Sequence, residues 1–244
     1  MTHMNALESA DASERLHFPP DILRHIDAAR LTEDGLGRSE ARVFDAGDCF
    51  LKVGPRDSLR RAAVMQEYFA QKGLSAPLMA FEQDGERDYL LVKALPGQNA
   101  CRCMDDPAWL SGVLGESVRA LHETDARDCP LRDGNRRALE AYEREMGAPY
   151  AGDASILRTD ALIMGDCCLP NIFFDGRRFV GFIDLGDAGL GDRHFDLCWV
   201  LWSLRYNLGD GRYNGRLLDA YGRDIVDDER LRLCTELSLQ KELL

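Results

Sequence analysis

Three oxygen-bearing side chains in the second half of the sequence have the types and spacing of a phosphoryl-transfer site. Asp166 is followed five residues later by Asn171, and Asp184 comes thirteen residues after that. Phosphoryl transfer needs little covalent help from a protein, which mainly positions the nucleophile and neutralises phosphate charge with metal ions. In this order, Asp166 would accept or orient the proton of the attacking hydroxyl, while Asn171 and Asp184 would supply the hard oxygen ligands that Mg²⁺ prefers.

Each of these three residues also has a simpler structural explanation. Gly165-Asp166 is a common turn pair, Asn171 follows Pro170 and could cap a turn, and Asp184 could cap the end of a strand. For any one residue the simpler explanation stays open. The three residues in register favour catalysis and metal binding.

The segment around these residues resembles a known family signature. It runs from Gly165 to Asp196 and reads GDCCLPNIFFDGRRFVGFIDLGDAGLGDRHFD. It is similar to the aminoglycoside 3'-phosphotransferase (kanamycin kinase) family, whose members carry His-Gly-Asp, a Leu-Pro-Asn or similar step, and a Gly-Phe-Ile-Asp strand end in the same order. Weaker similarity extends from about Leu36 to Gly222. The resemblance implies an α+β, bilobal, protein-kinase-like fold that uses ATP and Mg²⁺.

The resemblance also assigns nucleotide contacts to the first half of the chain. Lys52 matches a phosphate-contacting lysine, and Ser39 matches a serine in a glycine-containing loop over the phosphates. The backbone around Val92 and Ala94 would meet the adenine edge. Phe50 lies two residues before Lys52, so it points to the same face of the strand and could stack on adenine. An ordinary core aromatic is the alternative for Phe50.

Two further residues match the family pattern. Asp196 is expected to brace the loop as a buried carboxylate that accepts hydrogen bonds from backbone donors. His122 is expected to be a satisfied histidine of the core or of a helix end rather than a general base.

Hydrophobic patterning predicts the elements that must position these residues. Predicted hairpins cover residues 42–46 with 49–53, 78–83 with 88–93, and 172–174 with 178–183, and predicted helices cover 21–29, 58–71, 107–123, 193–207, 211–221 and 227–243. The stretch Ala94-Leu95-Pro96-Gly97 breaks both patterns and reads as a linker. The sequence therefore predicts a small β-sheet N-lobe at 1–94 and a mostly helical C-lobe at 95–244.

Composition narrows the class of protein. The chain has 244 residues, of which 45% are hydrophobic and 30% charged, values typical of a soluble globular protein. The longest apolar run, residues 197–204, is too short to cross a bilayer, so no membrane association is expected. Residues 1–19 lack the pattern of a secretory signal, which favours a cytoplasmic location. The eight cysteines lack the C-x-x-C spacing of metal sites and are expected to be reduced, unligated thiols.

The charge of the chain bears on its partners. A formal net charge of −12 argues against nucleic acid as a partner, because phosphates demand basic patches. The same charge would steer a small cationic substrate toward the protein. Acidity for solubility alone explains it equally well. No obligate protein partner is evident.

The chain departs from the family pattern in several places. Met164 stands where the family usually has the histidine before Gly-Asp. Ala62 stands where a helix glutamate normally pairs with the strand lysine, and Glu67, five residues on, faces about 140° round the helix. Asp187 occupies a position where antibiotic-phosphorylating members often have arginine. The segment between residues 122 and 164 looks shortened but remains acid-rich.

The leading interpretation is an ATP- and magnesium-dependent phosphotransferase for a hydroxyl of a small cationic molecule, above all an aminoglycoside. One alternative keeps the fold and changes the acceptor to an amino alcohol or a macrolide. The other is a nucleotide-binding, kinase-like protein with little transfer activity, which Met164 and Ala62 motivate.

Overall fold

The structure, a computed structural model, describes residues 18–27, 30–34 and 41–238. The chain forms two compact units. Of the described residues, the first unit contains those up to Gln71 together with Ala76–Ala94, and the second contains Lys72–Ser75 and those from Leu95 onward. The sequence-based division assigned residues 72–75 to the first lobe, whereas their contacts lie with the second unit.

The first unit is built on a five-stranded antiparallel sheet with strand order β1-β2-β3-β5-β4. Its elements are α1 (Pro20–Leu23), β1 (Thr32–Asp34), β2 (Arg42–Asp45), β3 (Cys49–Pro55), α2 (Arg60–Gln71), β4 (Leu78–Gln83) and β5 (Arg87–Lys93). Both hairpins predicted in this half of the chain form. Among the described residues of the helix predicted over 21–29, only Pro20–Leu23 are helical, and the His25 N–H then closes a tighter turn on the Ile22 carbonyl at 3.0 Å.

The two faces of this sheet pack against different partners. Because side chains alternate along a strand, Leu51 of β3 faces the cluster that contains Phe18 and Ile22. The opposite face packs against α2, where Ala62 and Leu90 share a buried apolar cluster. Each face of the sheet is therefore covered by its own group of apolar residues.

A buried carboxylate fixes where α2 begins. Asp88 of β5 is fully buried and accepts hydrogen bonds from the N–H groups of Asp57 at 2.9 Å and Leu59 at 2.8 Å. Free N–H groups at a helix start need acceptors, and a negative charge there is favourable. After the helix, Gly73 adopts a positive φ of 71°, as is common where a helix ends.

The second unit is mainly helical, with one two-stranded and one three-stranded sheet. Its helices are α3 (Pro107–Glu123), α4 (Gly134–Met146), α5 (His194–Leu208), α6 (Asn214–Tyr221) and α7 (Asp228–Ser238), and its strands are β6 (Gln98–Asn99), β7 (Ala161–Ile163), β8 (Ile172–Asp175), β9 (Arg178–Phe182) and β10 (Gly189–Gly191). The strands pair as β6-β8-β9 and as β10-β7. Helix α3 has the predicted bounds, whereas α4 was not predicted.

Helix α3 is the central helix of this unit. Leu110, Leu114, Val118 and Leu121 are fully buried along one side of it. Gly115 lets the backbone of α6 approach, since a Cβ there would collide with the carbonyl oxygen of Leu217. Close packing of α3 with α6 brings the C-terminal end of α6 next to the C-terminal end of α3, where Tyr221 contacts His122.

The sheet formed by β7 and β10 joins the two ends of the segment that carries the acidic residues. Strand β7 leads directly into Met164-Gly165-Asp166, and β10 begins just after Asp187. These strands pair antiparallel, with Ile163 opposite Gly189. The β8–β9 hairpin lies between them in sequence.

Among the described residues, no helix is long and apolar enough to cross a membrane.

Candidate active site

The base of the β8–β9 hairpin brings Asn171 and Asp184 to one place. Asn171 ends a single 3₁₀ turn just before β8, and Asp184 follows β9, which ends at Phe182. The Ile183 N–H donates to the Asn171 carbonyl at 3.0 Å. Two side chains thirteen residues apart in the sequence therefore start from adjacent backbone.

Asn171 also contacts Asp166. Its side-chain nitrogen Nδ2 donates to the Asp166 carboxylate oxygen Oδ2 at 3.1 Å and to the Asp166 backbone carbonyl at 3.2 Å. With the amide nitrogen turned toward Asp166, the amide oxygen is the atom that can ligate a cation. The structure thus brings together Asp166, Asn171 and Asp184, the three residues singled out in the sequence.

The surroundings of Asp166 favour its protonated form. Burial raises the pKa of this carboxyl above its ordinary value, and the negative charges of Asp184 and Asp187 raise it further. Hydrogen bonds from the Cys168 thiol and from Asn171 act in the opposite direction. A carboxylate with a raised pKa is a better proton acceptor than an ordinary aspartate, which suits a group that orients an attacking hydroxyl.

Asp184 has an unusual backbone conformation. Its φ is +60°, in the left-handed region that few residues other than glycine adopt. Aspartate tolerates this region better than most residues, and such conformations concentrate at functional sites. The side chain is exposed at the end of the hairpin.

Gly165 allows the acidic segments to approach each other. Its φ is +84°, and a Cβ at this position would lie 2.6 Å from the backbone carbonyl oxygen of Asp187. Only glycine fits both the conformation and the space. The backbone before Asp166 is therefore in direct contact with the backbone that follows Asp184.

Asp196 braces the loop from α5. It is fully buried, and its two carboxylate oxygens accept the N–H groups of Met164 and Gly165, each at 2.8 Å. His122 Nε2 donates to the same carboxylate at 3.1 Å. The structure agrees with the expectation of a buried carboxylate satisfied by backbone donors.

His122 is itself held by α6. The Tyr221 hydroxyl donates to His122 Nδ1 at 2.8 Å, and burial raises the pKa of Tyr221 to about 12. Both ring nitrogens of His122 are therefore occupied inside the unit, which fits a positioning role and not that of a general base. Through Asp196, these contacts reach the backbone of Gly165, the residue next to Asp166.

Met164, which stands where the family usually has histidine, is accommodated in the core. Its side chain is fully buried, and its N–H is already held by Asp196. An unbranched thioether adapts to an irregular space in a core. The loop is thus braced through backbone groups, which any residue supplies at this position.

In the first unit, Lys52 and Phe50 share one face of β3. Phe50 lies opposite Val92 and Lys52 lies opposite Leu90 on β5. Phe50 is 37% exposed, so it is not an ordinary core aromatic. Both side chains lie on the face of the sheet against which α2 packs, because Leu90 belongs to the cluster with Ala62.

The position of the expected helix glutamate is filled by apolar packing. Ala62 is buried against Leu90, whereas Glu67 is exposed on another side of α2. Neither residue provides a carboxylate on the face that carries Lys52. The departure seen in the sequence is therefore a departure in the structure as well.

The remaining nucleotide-contact predictions concern the backbone and a loop. Val92 lies within the β-ladder, paired with both Phe50 and Leu78. The Ala94 N–H donates to the Asp48 carbonyl at 2.8 Å, so a nucleotide contact at Ala94 would have to use its carbonyl oxygen. Ser39 lies outside the described residues.

The donor set fits magnesium only if phosphate oxygens complete it. Among the residues that the structure describes, no three His, Cys, Asp or Glu side chains converge as a metal-binding cluster. Mg²⁺ is commonly held by one or two carboxylates together with water and substrate phosphates. One amide oxygen from Asn171 and one carboxylate from Asp184 match that pattern, whereas a tightly held structural metal would need more protein ligands.

Sequence reasoning missed three residues that contact the loop or its neighbour Asp187. The Cys168 thiol hydrogen-bonds with Asp166, and burial raises the pKa of Cys168, so it remains a protonated donor. Ser203 of α5 accepts the Leu169 N–H at 3.0 Å. Arg137 of α4 donates to Asp187 at 2.7 Å. Only Cys168 was within reach of motif reading, since it stands two residues after Asp166.

Fold and site together define a class, that of kinase-like phosphotransferases, with a sheet unit bearing a lysine and a helical unit bearing Asp, Asn and Asp around one loop. A model of the phosphotransferase enzyme family matches residues 30–234. The chain belongs to this family. The acidic loop and its brace lie wholly inside the matched region.

Individual relatives agree with this assignment. The chain is 38% identical to a probable aminoglycoside 3'-phosphotransferase of Lactococcus lactis subsp. lactis, covering 90% of this chain and 94% of that protein. The aminoglycoside phosphotransferase APH(3'')-Id from Streptomyces rimosus has a similar fold, with a TM-score of 0.66 and 22% identity over 84% of this chain and 91% of that one. A structure of the same protein in complex with ADP and streptomycin matches with a TM-score of 0.64 and 22% identity, over 80% of this chain and 88% of that chain.

Proposed function

We propose that the protein transfers the γ-phosphate of ATP to a hydroxyl of an aminoglycoside. Asp166 accepts or orients the proton of the acceptor hydroxyl, and Asn171 and Asp184 hold Mg²⁺. Lys52 binds the nucleotide phosphates, and Phe50 lies against the adenine. A cytoplasmic location, where ATP is supplied, belongs to the same proposal.

The observation that carries the proposal is the contact between Asp166 and Asn171 beside the base of the hairpin. The 3.1 Å hydrogen bond fixes the direction of the Asp166 carboxylate. Its raised pKa makes the carboxylate a better base for a hydroxyl proton. Asp166 thus combines a fixed position with the proton affinity that the step requires.

The other two residues act on charge. Asn171 and Asp184 would hold Mg²⁺, which would supply positive charge against the charge that develops on the transferred group. Asp184 has a left-handed backbone and an exposed side chain, and the Ile183–Asn171 hydrogen bond keeps the two ligand residues next to each other. No further acidic side chain is required.

The acceptor class follows from the relatives. The relative from Lactococcus lactis is a probable aminoglycoside 3'-phosphotransferase, and the one from Streptomyces rimosus has been seen with ADP and streptomycin. An aminoglycoside is therefore the first acceptor to test, with ATP as the phosphate donor.

One observation favours a second, less cationic acceptor. Several acidic residues of the acid-rich segment between residues 122 and 164 are neutralised by neighbouring cations within the second unit. The paired acids are Asp125 with Arg127, Asp128 with Lys72, and Asp133 and Glu140 with Arg136. An amino alcohol or a macrolide belongs in the same acceptor panel for this reason.

The test is an ADP-release assay with wild-type protein and the Asp166→Asn variant, using aminoglycoside, amino-alcohol and macrolide acceptors. We expect kcat on the preferred acceptor to fall by roughly 10²–10⁴-fold in the variant, because proton transfer by a positioned group contributes that much. Nucleotide binding, measured by calorimetry with ATP and Mg²⁺, should persist. Unchanged turnover would remove Asp166 from the mechanism, and transfer to a macrolide alone would replace the acceptor class.

A further inference from the structure

Helix α5 carries three aromatic side chains on one side. Trp199 meets Trp202 edge to face with ring centroids 5.8 Å apart, and Trp202 stacks on Tyr206 at 5.1 Å with an interplanar angle of 20°. Their spacing of three and four residues puts them on one face of the helix. We call these three rings the aromatic ladder.

The ladder begins beside the catalytic loop. Trp199 lines a cleft of about 300 Å³ within the second unit, together with Gly165 and Asp187. Gly165 directly precedes Asp166, and the charge of Asp187 acts on Asp166. The first ring of the ladder therefore lines the same cleft as Gly165, the residue directly before the proposed base.

The adjacent side of α5 touches the loop as well. Ser203, one residue after Trp202, accepts the Leu169 N–H at 3.0 Å. From this point the rings run along the helix toward its end, and Tyr206 is 66% exposed. The ladder thus extends from the loop to the surface.

Packing of the helix does not account for the outer rings. Helix α5 buries its opposite side through Leu197, Val200, Leu201 and Leu204. Trp199 contributes to a neighbouring apolar cluster, but Trp202 is only half-buried and Tyr206 is mostly exposed. Aromatic surface left in contact with solvent beside a cleft is typical of a ligand-binding site.

The charges that line the cleft do not select strongly for a cation. Arg137 and Arg144 face it together with Glu145 and Asp187, two residues of each sign. Arg137 and Asp187 are paired with each other at 2.7 Å. Recognition of an amino sugar at this place therefore needs something other than excess negative charge.

We propose that the aromatic ladder binds the ring or rings of the amino-sugar acceptor that are not phosphorylated, with Trp202 and Tyr206 as the specificity-determining residues. Ammonium groups are attracted to the faces of Trp and Tyr, and the flat C–H faces of sugar rings gain dispersion contact there. The inference rests on the proposed function, because it takes the acceptor to be an amino sugar.

The experiment measures steady-state kinetics of Trp202→Ala and Tyr206→Ala with the aminoglycoside that the wild-type protein phosphorylates. We expect KM for the acceptor to rise about tenfold in each variant, with kcat and KM for ATP within about twofold of wild type. Trp202→Phe, which keeps a ring, should recover most of the loss. Thermal unfolding of each variant establishes that it is folded.

Trp109 offers a matched control, because it is a tryptophan outside the aromatic ladder that packs edge to face on Phe174 and beneath Arg177. Trp109→Phe should leave KM unchanged and retain quenching of tryptophan fluorescence by the acceptor, whereas Trp202→Phe should reduce that quenching.

An acceptor KM that stays at the wild-type value in both alanine variants overturns the inference, while turnover by the wild-type protein leaves the proposed function standing. A change of oligomeric state in Trp202→Ala without a change in KM also overturns it, since the ladder would then face a second copy of the chain. Absence of transfer to any aminoglycoside by the wild-type protein is a failure of the proposed function, and the inference about its acceptor falls with it.

Discussion

The catalytic loop is held on its two sides by different kinds of interaction. On the side of α3, α5 and α6, buried hydrogen bonds run from Tyr221 through His122 to Asp196 and reach the loop backbone. On the side of α4, the loop's neighbour Asp187 meets Arg137 in an ion pair whose side chains are 62% and 36% exposed. Unmade hydrogen bonds in a core are costly, whereas exposed ion pairs contribute little. We infer that the buried side fixes the geometry and that the exposed side tunes charge and acceptor choice.

The largest effect is expected from breaking the buried side. Asp196→Ala removes the acceptor for two backbone N–H groups and for His122, so we expect the free energy of unfolding to fall by about 3–5 kcal/mol. Urea unfolding at constant temperature measures this. Asp219→Ala is the matched control, because Asp219 forms an exposed pair with Arg223 and should change stability by less than about 1 kcal/mol. Similar losses in the two variants would contradict the comparison.

A smaller effect is expected at Asp166, which lies between the two sides. Its folded-state pKa is raised above 3.8, so between that value and the folded pKa the folded protein binds more protons than the unfolded chain. The stability of the wild-type protein therefore falls as pH rises through this window. Asp166→Asn lacks the charge, so its melting temperature should exceed that of wild type at about pH 8, and the difference should shrink toward about pH 4.

Thermal unfolding across this pH range, followed by fluorescence, gives the comparison for Asp166. Asp175→Asn, which changes an exposed aspartate at the end of β8, is the control and should show no such trend. A variant that is less stable than wild type at high pH would mean that charge repulsion among Asp166, Asp184 and Asp187 does not govern this site.

The smallest effect on stability is expected on the exposed side. Arg137→Ala should lower the free energy of unfolding by about 0.5 kcal/mol, because the pair with Asp187 is largely solvated. It leaves the Asp187 charge uncompensated, and that charge raises the pKa of Asp166. The acidic limb of the kcat–pH profile should therefore move to higher pH.

Arg136 precedes Arg137 on α4 and pairs with Asp133 and Glu140, so Arg136→Ala is the control for the charge change. It should leave the acidic limb where it is in wild type. An equal displacement in both variants would show that overall charge, and not the Arg137–Asp187 pair, sets the profile.

The difference between the buried and the exposed side of the loop also explains which features could be predicted from the sequence. The β8–β9 hairpin and α3 have strong local patterns, so their existence was predictable, as were the family and the kinase-like fold. The three loop residues lie within nineteen positions of one another, and motif spacing alone brought them together.

On the exposed side the local signals were weaker or were outweighed by charge. Helix α4 is amphipathic, but it is rich in charged residues and buries only Gly134, so its sequence also fits a solvated segment. Strands β7 and β10 are three residues each, too short to show alternation. The pair of Arg137 and Asp187 joins positions fifty residues apart, and the chain of His122, Asp196 and Tyr221 joins three helices. Such contacts depend on tertiary packing and leave no spacing that could be recognised.

The contact at Gly165 has a consequence for how the site can vary. The α-carbon of Gly165 lies against the carbonyl of Asp187. The backbone that leads to Asp166 and the backbone that follows Asp184 therefore shift together. A single methyl group placed there would push both at once and change the distance between proton acceptor and cation ligand. Variation in acceptor preference is therefore free to accumulate in α4 and along the outer rings of α5, while this one position has to remain without a side chain.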